Sequence, residues 1–394
     1  MRNIVKRLLN DWPVNQLLGF MPLQRLELLS LGAWPRLNPP TWYVALGYFN
    51  SLFNGMCVAA EFSFAFENTS NLQLILDSLC PAFTKMCIAI KLFFIVWRRN
   101  EFYKILKELS DYYMEMSVKD DIEFIKRLAV IAFKICFILT VFSEMTGVFF
   151  DVLPVSMNIY RILTGQETIA ELPFRSIWPW KTSETPGYEI TYLLLVYSSW
   201  LTSTANPGLD CTFMGICFHI STEFQSIKSR FIELGKEIDK RAPNWKVLNN
   251  EDNKYVYNEF KRIIEKHTAT IELCETSQKL SQEMILIHFI TSAMVICMNG
   301  VNLIIASGAA KSIYVCYIMT ALIQAFVFCY GGDSLEQSSR ELNTELYKIS
   351  WHKLNGNGRR AVLMMIQRTQ KTVGVAVPFF HVSMPTFANV RCFF

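Results

Sequence analysis

The sequence has little charge for its length. Asp, Glu, Lys and Arg make up 18% of the 394 residues, whereas hydrophobic residues make up 52% and the mean hydropathy is +0.23. A typical soluble chain carries about 25% charged residues. The shortage of charge therefore favours an integral membrane protein, whose length is accounted for by six or seven crossings of roughly 20 residues each with their connections.

The sequence also lacks the motifs that mark common catalytic and metal sites. It contains no H-E-x-x-H, C-x-x-C, G-x-S-x-G or G-x-x-x-x-G-K pattern. Its five histidines are too scattered for metal-ligand spacing, and its basic residues form no single stripe with interleaved aromatics. We therefore expect no catalytic residue, no cofactor, no metal and no nucleic-acid partner.

Apolar windows long enough to cross a bilayer recur along the chain. Six of them lie at 42–66, 72–97, 128–150, 189–220, 284–307 and 312–330, and a weaker seventh opens at Thr372. The sequence predicts an all-α fold, with one domain over residues 1–394 that contains seven transmembrane helices.

The distribution of Lys and Arg predicts the orientation in the membrane. With seven spans, the amino-terminal segment and the segments 97–127, 225–283 and 331–371 share one side and hold 30 of the 38 basic residues. The other side holds 5. Because positive charge is retained in the cytoplasm during insertion, we expect a cytoplasmic amino terminus and an extracellular carboxyl terminus.

Two of the predicted cytoplasmic segments, 225–283 and 331–371, have a helical pattern. In the first, a narrow apolar stripe on a charged helix recurs at steps of three and four: Phe260, Ile264, His267, Ile271 and Cys274. Such a stripe requires a partner. It packs either against other cytoplasmic helices of the same chain or against another subunit, and we expect both segments to contribute subunit contacts.

Several charged residues fall inside the apolar windows, where each is costly unless it faces protein or water. They are Glu61, Asp77, Lys85, Lys91, Lys134, Glu144 and Asp210. We interpret Lys91 and Asp77 as structural, because each lies near enough to a membrane surface to extend its charge into it. Glu144, beside Ser143 and Thr146, is a candidate for a ligand cavity, with pairing inside the bundle as the alternative.

Five stretches of the chain share the pattern of one known family. They are LLSLGAWP at 28–35, LPFRSIWPW at 172–180 with the later Pro186-Gly187-Tyr188, FKRIIEKHTATIELCETSQKLSQ at 260–282, CYGGDSLEQSSRELNTELYKISW at 329–351 and MIQRTQKTVGVAVPFFHVSMPTF at 365–387. Together they resemble the insect odorant receptor family. The match at 329–351 is strongest, because its Cys-Tyr-Gly-Gly, its serine pair and its Tyr-x-x-x-Trp keep the family spacing.

The resemblance implies the ligand-binding subunit of a heteromeric odorant-gated cation channel. Its partners would be shared coreceptor subunits in a hetero-oligomer, expected to be a tetramer, together with a small volatile ligand and the lipid bilayer. Its place would be the plasma membrane of olfactory sensory neurons. The coreceptor has a longer inner loop between the fourth and fifth spans, which this chain lacks, so the chain resembles a tuning subunit.

The resemblance also implies a ligand site in the outward half of the bundle, between the second, third, fourth and sixth spans. Residues there that combine aromatic faces with sparse hydroxyls are the expected lining, together with the carboxylate noted above: Ser78, Phe83, Ser143, Glu144, Thr146, Phe150, Tyr192, Tyr197 and Tyr314.

The family's seventh helix lines the pore and continues well beyond its Thr-Phe, whereas only seven residues follow Thr386-Phe387 here. We expect an incomplete pore contribution, with Phe387 and Val390 adjacent to the pore. The single N-x-[ST] triplet, Asn68-Thr69-Ser70, predicts glycosylation of Asn68 in a short outer loop.

Two other classes of receptor are alternatives. A gustatory receptor of the same superfamily is poorly separated by sequence. A G-protein-coupled receptor is opposed by its orientation, which would place 30 of 38 basic residues outside. The seventh window also lacks Asn-Pro-x-x-Tyr, and the third ends at Phe150-Asp151-Val152-Leu153 with no arginine.

The orientation is testable with epitope tags. Because the basic residues favour one side by 30 to 5, a tag fused before residue 1 should be detected by antibody only after cells are permeabilised, whereas a tag after residue 394 should be detected on intact cells. Labelling of the amino-terminal tag on intact cells would contradict the predicted orientation.

Overall fold

The computed structural model describes residues 21–114, 119–167, 169–243, 247–306, 308 and 310–392. The first 20 residues, with three of the predicted cytoplasmic basic residues, and the side chain of Val390 lie outside the described residues. Within the described residues, the regular secondary structure is helical apart from one small hairpin.

Ten helices are described. They are α1 (Pro22–Ser30), α2 (Thr41–Glu67), α3 (Leu72–Trp97), α4 (Arg99–Met114), α5 (Lys119–Leu163), α6 (Gly187–Arg241), α7 (Asn250–Ile305), α8 (Ala310–Lys348), α9 (Gly356–Thr369) and α10 (Met384–Cys392). A 3-10 turn covers Trp351–Lys353, and strands β1 (Ala376–Val377) and β2 (Phe380–His381) pair in antiparallel fashion.

Five of the six strong apolar windows are contained in the long helices α2, α3, α5, α6 and α8, and the window at 284–307 lies in α7 up to the last residue of that helix, Ile305. The 72–97 window coincides with α3, which begins where the side chain of Asn71 accepts hydrogen bonds from the backbone of Gln73 and Leu74. Helices α5 to α8 extend well beyond their windows, so the connecting segments are continuations of the spans rather than separate elements.

The seventh window is helical only at its end. Pro378 removes a backbone donor, and Phe379 has a positive φ of 85°. Together they form the turn between β1 and β2, and α10 begins only at Met384. The apolar window that opens at Thr372 is therefore not helical over its first part, because proline opposes helix there.

Four of the described helices are long and apolar enough to cross a membrane by length and composition alone. They are α3, the part of α5 at Glu123–Leu163, α7, and the part of α8 at Lys311–Lys348. Helices α2 and α6 carry polar residues that lower their hydropathy, but these are buried against protein, as Asn54, Glu61 and Asp210 show with exposures of 0%, 0% and 1%. Because these polar groups are buried, a test by length and composition alone does not recognise α2 and α6 as spans.

Helix α6 is the centre of the bundle. It packs against α1, α2, α3, α5, α7 and α8, and nearly every side chain from Leu201 to Ile227 is buried. Small residues allow this close packing, because Gly208 and Gly215 leave room for Leu28 and Met21 of the α1 region. A helix with such an all-round buried surface must be the element that positions the others.

The apolar stripe of the 225–283 segment packs mainly within the chain. Phe260 contacts Phe231 and His267 contacts Phe224, with ring centroids 5.5 and 6.0 Å apart. Ile271 is buried, whereas Ile264 is partly buried. Of the two alternatives for this stripe, the structure shows the intramolecular one.

The connection between α8 and α9 is fixed against the carboxyl-terminal end of α6. Lys353 donates to Asp239 at 2.6 Å and lowers the pKa of that carboxyl, and the carbonyl of Lys353 accepts from the backbone of Leu248. The segments 225–283 and 331–371 therefore form one packed unit.

Lys91 does not extend to the membrane surface. The sequence-based expectation that its charge reaches that surface is therefore wrong. The side chain of Lys91 is 1% exposed, and its ammonium lies 2.5 Å from Asp210 and 3.0 Å from Nδ1 of His288. Gln324 donates to the other oxygen of Asp210 at 3.3 Å. This network, the Lys91–Asp210 network, joins α3, α6, α7 and α8 inside the bundle.

Breaking the Lys91–Asp210 network should destabilise the fold. Lys91→Met leaves the Asp210 carboxylate buried without its cation, at a cost of about 3–5 kcal/mol, so the purified protein should unfold at a lower temperature. The double variant Lys91→Met/Asp210→Asn removes both charges and should recover most of the loss. Lys134→Met, at an exposed position of α5, is the matched control. Unfolding of Lys91→Met at the wild-type temperature would contradict the role of the network.

Candidate ligand-binding site

A small cavity lies inside the bundle between α3, α5, α6 and α8, the four spans expected from sequence. Its volume is ≈ 50 Å³. Three of the predicted lining residues, Ser143, Thr146 and Phe150, meet there on α5. The other lining residues were not predicted, among them Thr84, Lys85, Phe174, Asn206, Tyr317 and Thr320.

The loop before α6 forms one wall of the cavity. Phe174 is 6% exposed and stacks on Phe150 with ring centroids 5.1 Å apart. The backbone of Ile177 donates to the carbonyl of Ala60 at 3.0 Å, which holds the loop on α2. The loop sequence therefore covers the cavity rather than lying free outside the bundle.

The hydroxyl groups of the cavity donate within the protein. Thr84, Thr146 and Thr320 each donate to the carbonyl four residues earlier in their own helix, at 3.2, 2.8 and 2.9 Å. Ser143 donates across to the carbonyl of Ser203 at 2.9 Å. These hydroxyls therefore present mainly acceptor lone pairs to the cavity.

Lys85 is the charged residue of the cavity. Its ammonium forms a buried ion pair with Glu61 and lies 3.6 Å from the centroid of the Phe174 ring. The sequence signal for this pair was present, since both residues were recognised as charges inside windows. Their pairing was not visible, because it depends on how α2 and α3 pack.

The other predicted lining residues lie outside the cavity wall, and most have polar partners there. Ser78 and Tyr192 donate to the backbone carbonyls of Glu61 and Asp151, and Tyr197 and Tyr314 donate to the side chains of Asn50 and Asp77. Glu144 accepts from the hydroxyls of Ser203 and Thr204. The ring of Phe83 packs on that of Phe62. Asp77 is thus engaged with Tyr314 at 2.7 Å instead of reaching outward alone.

The remaining predicted sites are at the two ends of the bundle. Phe387 on α10 is half-buried against α8, with its ring 5.8 Å from that of Phe326. Asn68 ends α2, and its side-chain amide donates to the carbonyl of Phe64 at 2.9 Å. Its glycosylation stays a prediction.

The size of the cavity limits what it holds in this conformation. A water molecule takes about 30 Å³ of liquid volume, and a cavity of about 150 Å³ accommodates benzene. A volume of ≈ 50 Å³ thus suits water, and a volatile ligand requires the surrounding helices or side chains to move apart.

A helical membrane bundle that encloses a small cavity with aromatic and hydroxyl walls is the arrangement of a small-molecule receptor. Residues 71–393 match the family model described as 7tm Odorant receptor, and the chain therefore belongs to the odorant receptor family. The predicted all-α, seven-span fold class and the family resemblance are both confirmed.

The chain is similar to curated relatives over nearly its whole length. It is 27% identical to odorant receptor 22c of Drosophila melanogaster, with 94% of this chain and 93% of the relative covered, and 24% identical to odorant receptor 24a of the same fly, with 96% and 91% covered. The solved insect olfactory receptor OR5 from Machilis hrabei has the same fold, at a TM-score of 0.75, 13% identity and 94% coverage of both chains. Its complex with eugenol matches at a TM-score of 0.74 and 14% identity, with 100% of this chain and 95% of that chain covered.

Filling the cavity should block activation by ligands. A Cβ at Gly147 would lie 3.1 Å from Oγ of Ser199, so Gly147→Leu must place its side chain at the cavity wall. We expect ligand-evoked currents to fall at least about tenfold at equal surface amount, the effect of losing about 1.4 kcal/mol of binding. Gly300→Leu is the control, because its Cβ meets nothing within 4 Å. Equal responses from both variants would exclude this cavity as the ligand site.

Proposed function

We propose that this odorant receptor is the ligand-binding, tuning subunit of a heteromeric odorant-gated cation channel that it forms with shared coreceptor subunits. The observation that carries the proposal is the cavity enclosed by α3, α5, α6 and α8, which Phe150, Phe174 and Tyr317 wall on its aromatic side. Apolar walls with few polar groups are what a small volatile ligand requires.

Ligand entry would be coupled to the far end of the bundle through α8. Across the cavity, the hydroxyls of Thr146 on α5 and Thr320 on α8 are 3.2 Å apart. Phe326 lies six residues further along α8, about 9 Å at 1.5 Å per residue, and contacts Phe387 of α10. A ligand that separates α5 from α8 therefore shifts the surface on which the proposed pore residue rests.

Contacts with partner subunits are proposed for the exposed side of the segments 225–283 and 331–371. The stripe of the first segment packs largely within the chain, so we propose another surface as the main contact. Apolar side chains that stay exposed are Tyr347 on α8 and Leu363 and Met364 on α9, with exposures of 69%, 58% and 63%. A coreceptor subunit that covers them would bury surface that lipid does not reach.

The orientation and the location of the chain complete the proposal. The bias of basic residues supports a cytoplasmic amino terminus, which places α9 and the long extensions of α6, α7 and α8 inside the cell. The turn between α2 and α3, with Asn68, then faces outside. Membership of the odorant receptor family supports the plasma membrane of olfactory sensory neurons.

The proposal is tested by recording currents over a panel of volatiles from cells that express the chain with and without a coreceptor. We expect currents only from the pair. Phe150→Ala enlarges the cavity and removes the ring that stacks on Phe174, so it should change the rank order of ligands. Tyr192→Phe, whose hydroxyl bonds a backbone carbonyl outside the cavity, should leave the rank order unchanged.

The same cells test the subunit contact. Leu363→Asp/Met364→Asp should reduce recovery of the coreceptor with the receptor, whereas Glu272→Lys, an exposed change on α7, should not. Full ligand-gated current without a coreceptor would overturn the heteromeric proposal, and an unchanged rank order in Phe150→Ala would overturn the site.

A further inference from the structure

We infer that the cavity selects small neutral ligands that carry a carbonyl-type oxygen, such as ketones, aldehydes and esters, and that the Lys85 ammonium is the group that binds this oxygen. The inference rests on the proposed function and specifies the ligand class of the same site. It follows from the hydrogen-bonding capacity that the cavity leaves unused.

The Lys85 ammonium has more N–H donors than the protein uses within the described residues. An ammonium carries three N–H groups, and Glu61 is the one hydrogen-bond acceptor that the described residues offer to Lys85. A second N–H faces the Phe174 ring, whose centroid is 3.6 Å away, in a cation–π contact. By contrast, Lys91 has both Asp210 and His288. Because Lys85 lines the cavity, its remaining N–H is available to a ligand.

The other polar groups of the cavity explain why a ligand should place its hydrogen-bond acceptor at Lys85. The hydroxyls of Thr84, Ser143, Thr146 and Thr320 already donate to backbone carbonyls. Asn206 also lines the cavity, and its side-chain amide makes no hydrogen bond to any residue within the described part of the chain. Lys85 and Asn206 therefore supply the donors, and the charged one makes the stronger bond.

The ion pair also decides the charge of the ligand. Glu61 is fully buried and neutralises Lys85, so the pair has no net charge. A carboxylate ligand would add an unpaired anion inside the bundle, which is costly in a membrane. A hydrocarbon of the same shape would leave the Lys85 N–H without a partner in a closed site. A neutral carbonyl dipole avoids both costs.

The experiment compares ligands of matched shape on cells that express the chain with a coreceptor. Each set contains a ketone, the alkene in which methylene replaces the carbonyl oxygen, and the carboxylate in which oxygen replaces methyl. One set is 2-heptanone, 2-methyl-1-heptene and hexanoate, and the others run from five to ten carbons in straight and ring forms. In the wild type, the ketones should activate at concentrations at least about tenfold below those of their alkenes, equivalent to about 1.4 kcal/mol, and the carboxylates should be weakest.

The variant Glu61→Gln/Lys85→Met removes both charges and keeps the side-chain volumes, so it avoids the single unpaired charge that would unfold the protein. It should bring the half-activating concentrations of each ketone and its alkene within about twofold of each other, because the ketone loses its bond to Lys85 and the alkene no longer leaves that N–H without a partner. Lys134→Met is the matched control, because the same substitution there lies at an exposed position of α5.

Each outcome decides the inference. Alkenes or carboxylates that activate the wild type as well as the ketones, ketones that are inactive in every set, or a ketone preference that survives in Glu61→Gln/Lys85→Met would overturn it. If the variant does not reach the cell surface, the wild-type order of the three ligands decides alone. A changed rank order in Phe150→Ala together with a surviving ketone preference in the double variant would retain the site but reject Lys85, whereas an unchanged rank order in Phe150→Ala would reject the site itself.

Discussion

A charge inside a membrane bundle needs a polar or charged partner, and this requirement restricts how the helices of the protein pack. Among the charged residues inside the apolar windows, two buried ion pairs meet it. Lys91 and Asp210 join four helices with help from His288 and Gln324. Lys85 and Glu61 join α2 and α3 beside the cavity. Because an unpaired partner would be costly in either place, the two pairs restrict which helix packings the chain can adopt.

The two pairs have different consequences. The polar atoms of the Lys91–Asp210 network have partners from α3, α6, α7 and α8, and the network holds these four helices together. The Lys85–Glu61 pair is open on one side, where the ammonium meets the cavity and the ring of Phe174. The Lys91–Asp210 network holds its helices together, whereas the Lys85–Glu61 pair keeps an unused hydrogen-bond donor at the cavity. A ligand can therefore bind at the second pair while the first keeps the bundle assembled.

The sequence predicted the helices well, because the membrane imposes long apolar runs that are visible residue by residue. It located α3 to the residue and anticipated the four helices around the cavity. It did not predict the hairpin in the first part of the seventh window, which Pro378 and the positive φ of Phe379 produce. The ion pairs were also missed, since their members are 24 and 119 residues apart and each charge alone is compatible with extension to the membrane surface.

For the cavity, the sequence identified the face of α5 but not the residues opposite. Ser143, Thr146 and Phe150 share that face at helical spacing, whereas Tyr192, Tyr197 and Tyr314 have the right composition and depth but bond to partners elsewhere. Phe174 was missed because a loop residue carries no periodicity that places it. Tyr317 and Asn206 depend on the rotation of α8 and α6, which packing determines.

The most direct test of ligand recognition in this cavity is an experimental structure of the receptor–coreceptor complex with a bound ketone such as 2-heptanone. We expect ligand density between Phe150 and Tyr317, with its oxygen within hydrogen-bonding distance of Nζ of Lys85 and the cavity enlarged beyond its present ≈ 50 Å³. Ligand density at another place in the chain, with this cavity still closed, would contradict it.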